Sequence, residues 1–224
     1  MAKPPKRKRD PLDAYYTPDW PIRRFLTAVK PELQQLLDVG NVCLMEPCAG
    51  DGAIAKVLRE YFPHAYPYGG REAYGVGLHC NDIDPRAVAQ LERAGYPASC
   101  CDALDMFENE NSFSCVTAAI TNPPWHNGFP LRLVRKLMTR KQPPDFVAIL
   151  GRLTLLETPS RAAFFLEYPP HVYILPERVS HTGDGASDNV GEAWFVFRQG
   201  QTDSRLFWLT DDFVQPRLQL DGEP

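Results

Sequence analysis

Short apolar runs separated by Pro- and Gly-rich punctuation recur along the chain, and the stretches between them carry the 3.6-residue period of amphipathic helices. Residues 42–46 and 74–80 read as buried strands. Each is followed by a helical stretch, 52–60 and 85–94, the second opened by Asp84 as its cap with Pro85 at its first position. A short strand near Ser99, strands at 116–121 and 146–150, and helices at 131–139 and 160–166 continue the alternation. Residues 171–175 and 193–197 add two strands joined by a polar loop, 180–189, which is too long for a tight hairpin. Such alternation requires crossover connections. Right-handed crossovers with helices on both faces give a doubly wound, mostly parallel α/β sheet. Ligands of such sheets bind at the strand C-termini. The three runs with chemical content fall there: after the first strand, at the end of the second, and after the fourth.

Composition narrows the class. A chain of 224 residues, 44% of them hydrophobic, suits one compact domain, expected over 15–224 behind a basic, flexible N-terminal arm over 1–14. Lys3, Lys6, Arg7, Lys8 and Arg9 supply five of the 24 cations, so the remainder sets 19 cations against 28 acids within a net charge of −4. A basic arm on an acidic body suits neutralisation of nucleic-acid phosphates, a localisation signal, or a solubilising end. No apolar run has the length of a signal peptide or a membrane span, which predicts a soluble, intracellular protein without membrane contact. The six cysteines form no CxxC pair and the five histidines no HExxH, so no metal is expected and the cysteines read as reduced thiols.

Glu46-Pro47-Cys48-Ala49-Gly50-Asp51-Gly52 joins a strand to a helix. Its glycines let the backbone turn sharply and approach a ligand, while the helix start aims free N–H groups at it. Cys48 reads as a small side chain filling the turn. Gly50-x-Gly52-x-x-Ala55 also satisfies a dinucleotide fingerprint, but the next acid at a strand end, Asp82, lies 30 residues beyond Gly52, against the usual ~20. In Asn81-Asp82-Ile83-Asp84-Pro85, Asp82 can accept both hydroxyls of a ribose and Ile83 can cover an adenine face. Asp102, just after the short third strand, is a candidate acceptor for an adenine amine, or a solvated loop acid.

Thr121-Asn122-Pro123-Pro124-Trp125 is the most informative run. Consecutive prolines fix φ and withdraw two N–H donors, leaving rigid carbonyls that only accept; the Asn122 side-chain oxygen is a second acceptor. Two acceptors facing one conjugated amine favour a pyramidal nitrogen whose lone pair is free to attack a sulfonium methyl in line. No strong base is needed beforehand, so catalysis comes from positioning and preorganised dipoles. Trp125 offers a flat surface for stacking a base, or fills the core.

Glu46-Pro47-x-Ala49-Gly50-x-Gly52, Asp82-Ile83-Asp84 and Asn122-Pro123-Pro124-Trp125, in that order and at those strand ends, resemble the class I amino-methyltransferases, especially the N6-adenine DNA group. Tyr16-Thr17-Pro18 is similar to that group's N-terminal element. The resemblance implies a seven-stranded Rossmann-like sheet with its last strand antiparallel, and S-adenosylmethionine as cofactor. It also implies that Tyr16, Thr17 and Pro18 help hold the methionine end, that Glu46, Pro47, Cys48 and the turn from Ala49 to Gly52 surround the amino acid and ribose, and that Asp82, Ile83 and Asp102 take the ribose hydroxyls, adenine face and adenine edge. Asn122 and the Pro123 carbonyl would hold the target amine, beside Pro124, with Trp125 stacked on the target base.

About 70 residues after the fifth strand must complete the sheet and read the target. Recognition is therefore loose, or comes from loops, a second copy of the chain or a specificity subunit. Arg132, Arg135, Lys136 and Arg140 could meet phosphates, or solvate a helix face. His181 could face a flipped base opposite Trp125, or be incidental, and is left out of the catalytic set. DNA is the expected substrate, ahead of RNA; a protein glutamine, a non-catalytic subunit and a nicotinamide enzyme are the competing readings.

Overall fold

The computed structural model describes residues 17–38, 43–63, 65–67, 76–108, 113, 115–181 and 190–211. The basic N-terminal segment, Tyr16 and loop residues 182–189 lie outside them. Along the chain come α1 (Asp19–Asp38), β1 (Cys43–Glu46), α2 (Ala53–Tyr61), β2 (Ala65–Pro67), β3 (Val76–Asp82), α3 (Pro85–Arg93), β4 (Ala98–Cys100), α4 (Ala103–Met106), β5 (Val116–Thr121), α5 (Phe129–Met138), β6 (Phe146–Arg152), α6 (Pro159–Glu167), β7 (His171–Ile174), β8 (Glu192–Arg198) and β9 (Leu206–Trp208). The strands form one sheet in the order β2-β3-β1-β5-β6-β8-β7-β9, with β4 beside the C-terminal half of β3. Among the described strands only β8 runs antiparallel to its neighbours.

This is the doubly wound, mostly parallel sheet that the hydrophobic pattern predicts, and β8 is the expected antiparallel strand. Among the described residues the sheet has nine strands, where the pattern gives seven. The additional β2 and β9 are three residues each, too short for a period to register. Helix α1 is the larger omission. Its apolar positions Ile22, Phe25, Leu26, Val29, Leu33 and Leu37 recur at helical spacing, but Pro21 and Pro31 punctuate the run. Pro21 sits in the first turn, where a missing N–H costs nothing, and Pro31 is exposed.

Both faces of the sheet are covered. Helix α1 packs with α2 and α3 on one face, around Phe25, Leu44, Leu58 and Trp194; α4, α5 and α6 cover the other, around Met45, Leu133, Val147 and Phe195. Burial on both faces explains why β1, β6 and β8 read as near-continuous apolar runs. The chain leaves β1 toward β3 on one side and later returns to β5 on the other, so a crevice opens beyond the C-terminal ends of β1, β3 and β5. Among the described residues, no helix is long and apolar enough to cross a membrane, and no group of three or more His, Cys, Asp or Glu side chains is placed to hold a metal ion.

Candidate active site

That crevice is a cleft of about 790 Å³. The turn from Glu46 to Asp51, the β3 end from Asn81 to Asp84, Asp102, and Asn122 to Pro124 line it, together with Thr17 from the far N-terminal side. The structure thus brings together on one cavity wall the three runs that the sequence singles out.

Gly52 caps α2 with φ at +81°, a left-handed conformation that a side chain would strain; a Cβ there would also meet Leu91 Cδ2 at 2.8 Å. Asp82 ties the turn to β3. Its Oδ2 accepts the Gly50 N–H at 2.8 Å and its Oδ1 the Asp84 N–H at 2.8 Å. Each carboxylate oxygen has a further lone pair for a ligand hydroxyl. Beside it, Ile83 is 54% exposed although apolar and lines the cleft, the placement needed to cover a flat ring. Asp84 accepts the Arg86 N–H at 2.9 Å as the cap of α3, the role expected for it. Asp102 does the same for α4, accepting Leu104 N–H at 2.8 Å with Oδ1, so Oδ2 is the oxygen left to a ligand.

Glu46 is 1% exposed, and its Oε2 accepts the Ala55 N–H at 2.8 Å. Burial pushes its carboxyl well above the usual range. The neighbouring Asp51 and Asp82 push the same way, against the Ala55 bond. Burial also raises the Cys48 thiol, an effect the Asp82 carboxylate reinforces, so the thiol is held protonated where it lines the cleft. All six cysteines are free.

Asn122 follows β5 directly. Its Nδ2 donates to Thr17 Oγ1 at 2.9 Å, while its Oδ1, shielded from water, has no hydrogen-bond partner among the described residues. A buried acceptor left unsatisfied is costly and calls for an explanation. Pro123 and Pro124 continue the cleft wall with no N–H to offer.

Trp125 departs from expectation. It does not line the cleft. Its indole N–H finds an acceptor in the Leu150 carbonyl at 3.4 Å, the Arg152 guanidinium lies 4.6 Å from its ring centre, and the His181 ring meets it edge-on at 5.1 Å. The indole is half-buried, and the end of β6 supplies the acceptor for its N–H. Instead Phe129 and the exposed His126 reach the cleft from the start of α5. Pro18 likewise stands off the cleft wall while Thr17 lines it. Of the four cations on and after α5, only Arg132 lines the cleft. Arg135 pairs with Glu167 at 3.1 Å and Lys136 with Glu108 at 3.6 Å, whereas Arg140 is buried with its guanidinium 5.0 Å from the Phe107 ring centre.

Two buried residues that the sequence reading gave no part in the site organise it. Asn81 donates to the carbonyls of Pro47 at 2.9 Å and Cys101 at 3.0 Å, lashing three strand ends together. Glu192, at 1% exposure, accepts from His181 Nε2 with both oxygens at 2.9 Å, which fixes the imidazole against Trp125. Asn81 sits beside Asp82 in the chain and could have been found there. Glu192 opens an apolar strand 11 residues from His181, and nothing local marks the pair.

No protein-family model matches the sequence, and no functionally curated protein matches it either. Solved structures do. A candidate class I S-adenosylmethionine-dependent methyltransferase from Listeria monocytogenes superposes with a TM-score of 0.60 at 14% identity, over 88% of this chain and 67% of its own. A modification subunit of a candidate type I restriction enzyme from Vibrio vulnificus gives 0.60 at 14% identity over 90% of this chain, which spans about half, 48%, of that one. A dimethyladenosine transferase from Plasmodium falciparum gives 0.54 at 14% identity over 82% of this chain and 62% of its own. At such identities the likeness establishes the fold, which is the Rossmann-like methyltransferase fold.

Proposed function

We propose that this chain transfers a methyl group from S-adenosylmethionine to the exocyclic amine of a nucleobase, N6 of adenine in DNA. The observation that carries the reading is the Asn122 amide oxygen, a buried acceptor of a residue on the cleft wall, without a hydrogen-bond partner among the described residues. An amino group of the substrate would satisfy it once binding displaces the groups that cover it in the free protein. The adjoining Pro123 and Pro124 cannot compete as donors, and the Pro123 carbonyl is the second acceptor beside it.

The cofactor half fits the same cleft. Asp82 would take the ribose hydroxyls and Ile83 the adenine face, with Asp102 Oδ2 at the adenine edge; Glu46 and the turn through Gly50 and Gly52 would enclose the methionine portion. S-adenosylmethionine, when bound, supplies an electrophilic methyl on a positively charged sulfur. Asn122 and Pro123 orient the amine and draw its N–H groups aside, leaving the lone pair to point along the cleft. A conjugated amine becomes acidic only after gaining the methyl, so its proton can pass to water without a dedicated base. Trp125 would act from behind, as the support of the proline wall, and Phe129 is the aromatic side chain on hand to lie against the base.

The Plasmodium neighbour is a dimethyladenosine transferase, which supports an adenine amine. The Vibrio neighbour is a modification subunit of a restriction enzyme, which favours DNA and leaves room for a specificity subunit. An amine paired inside a duplex must be rotated out before it can enter this cleft. RNA and protein amides have the same conjugated NH2, and a subunit without turnover would keep the cleft but transfer nothing. Incubating the purified chain with isotopically labelled S-adenosylmethionine and separate pools of duplex DNA, single-stranded DNA, RNA and protein, then digesting each and identifying the labelled unit, tests the reading. Label in N6-methyladenine from DNA is expected; label confined to RNA or protein overturns the substrate, and cofactor binding without any transfer overturns the activity.

A further inference from the structure

We propose that Thr17 is a positioning residue, whose hydroxyl holds the Asn122 carboxamide so that its oxygen, and not its NH2, is presented to the target amine. The inference rests on the methyl-transfer reading above and deepens its site. A carboxamide has a donor end and an acceptor end of nearly equal size, and only the acceptor end can serve an amine. Pro123 confines the Asn122 backbone to extended conformations, and the side-chain rotation that exchanges oxygen for nitrogen is that of the planar amide about its Cβ–Cγ bond. Thr17 Oγ1 accepts from Nδ2 at 2.9 Å, and Thr17 is only 4% exposed, so water offers Nδ2 little substitute.

A hydroxyl can also donate, to an oxygen turned toward it. That orientation would set the NH2 of Asn122 against the NH2 of the substrate, and amine binding selects against it. With threonine at position 17 the productive orientation is therefore satisfied at both ends: Nδ2 on Thr17, Oδ1 on the amine. Without the hydroxyl it leaves a buried NH2 unsatisfied.

Thr17 is 105 residues from Asn122 in the chain, and α1 sets it in place. Asp19, two residues on, accepts from Lys56 at 3.1 Å and from Arg23 at 3.3 Å, and Arg23 reaches Glu60 at 2.6 Å, so the start of α1 is clamped to α2. The Trp194 indole N–H donates to the Pro21 carbonyl at 3.2 Å, and Phe25 stacks on Trp194 at 4.4 Å, which fixes the same turn to the sheet.

The test compares Thr17→Val, of nearly the same shape, with Thr17→Ser, which keeps the hydroxyl, both in the full chain. Thr17→Val is expected to lower kcat about 10- to 100-fold while the affinity for S-adenosylhomocysteine, by calorimetry, stays within about threefold, and Thr17→Ser to restore most of the rate. In an Asn122→Asp background the two oxygens are equivalent, so Thr17→Val should have little further effect. A residue that merely held the cofactor would lose affinity in step with rate, and would do so in either background; that result overturns the proposal. The side-chain amide of Asn122 gives a readout that needs no turnover. In ¹⁵N NMR its Nδ2 hydrogens should exchange slowly in the wild type and in Thr17→Ser, and fast in Thr17→Val; equal exchange in all three also overturns it. If the wild-type protein methylates none of the pools, the function reading fails while the amide exchange still decides the role of Thr17.

Discussion

Asp82 Oδ2 accepts the backbone N–H of Gly50 at 2.8 Å, across 32 residues of chain, and so joins the turn after β1 to the tip of β3. The same carboxylate that would receive the ribose hydroxyls therefore shapes the turn that would enclose the rest of the cofactor. Asp82→Ala should act twice. Loss of charge-assisted bonds should weaken S-adenosylhomocysteine binding by about 1–3 kcal/mol, and the unsatisfied Gly50 and Asp84 N–H groups should lower the melting temperature of the free protein. Asp82→Asn, with one acceptor oxygen, should fall between. An affinity unchanged in Asp82→Ala would remove this residue from the cofactor site.

Asn122→Ala should separate binding from chemistry. It removes an acceptor for the amine and none for the cofactor, so transfer should drop roughly 10²- to 10³-fold or more with S-adenosylhomocysteine affinity nearly intact. Parallel loss of both in the same preparation would count against the assigned role. Because the substitution also removes the 2.9 Å bond from Nδ2 to the buried Thr17 Oγ1, the melting temperature should fall modestly, by the roughly 1 kcal/mol of one hydrogen bond.

Gly52→Ala should be costly for two reasons that add. A left-handed φ of +81° strains any side chain by about 1–2 kcal/mol, and the new Cβ would meet Leu91 Cδ2 at 2.8 Å. Since Gly52 caps α2, relief comes by shifting the start of the helix that lines the cleft, so cofactor affinity should fall along with the melting temperature. A variant as stable as wild type would show that the turn has an alternative conformation.

The parts of the site that the sequence makes legible are those whose chemistry is local. Gly50 to Gly52, Asp82 to Asp84 and Asn122 to Pro124 each carry a backbone or charge requirement within a few residues, and strand alternation puts all three at one end of the sheet. What escaped depends on distant partners. Trp125 reads first as a stacking surface, with a packed indole as the alternative, until β6 supplies the Leu150 carbonyl and Arg152. Thr17 meets Asn122 only because α1 returns the N-terminal segment to the cleft, and α1 was itself obscured by prolines that the helix tolerates in its first turn and on its exposed side. His181 and Glu192 become a pair only once β7 and β8 lie side by side.

That pair makes a prediction of its own. Glu192 is the acceptor for a buried imidazole N–H, so Glu192→Ala should destabilise the fold by about 1–3 kcal/mol, and the loosened His181 should release Trp125, whose ring it meets edge-on at 5.1 Å. Indole fluorescence should shift toward that of a solvated ring in Glu192→Ala, and the shift should be absent when Trp125 is replaced as well. A spectrum identical to wild type would mean that Leu150 and Arg152 hold the indole without help.

Glu46 offers a test by pH. Burial, with Asp51 and Asp82 beside it, raises its carboxyl well above 4.5, so over the interval above that value the unfolded chain has released a proton that the folded chain keeps. Folding stability attributable to this group must then fall as pH rises through that interval. Glu46→Gln carries no titratable proton, and its amide oxygen can still accept the Ala55 N–H that Oε2 holds at 2.8 Å. The melting temperature of Glu46→Gln minus that of wild type should therefore grow between about pH 5 and about pH 8. Saturating S-adenosylhomocysteine should shrink the difference if its ammonium lies beside Glu46, because a nearby positive charge draws the carboxyl back down and stabilises its ionised form. A difference that stays flat with pH would mean that Glu46 is ionised in the folded protein already, and its burial would then need a counter-charge in the cleft even before any ligand binds.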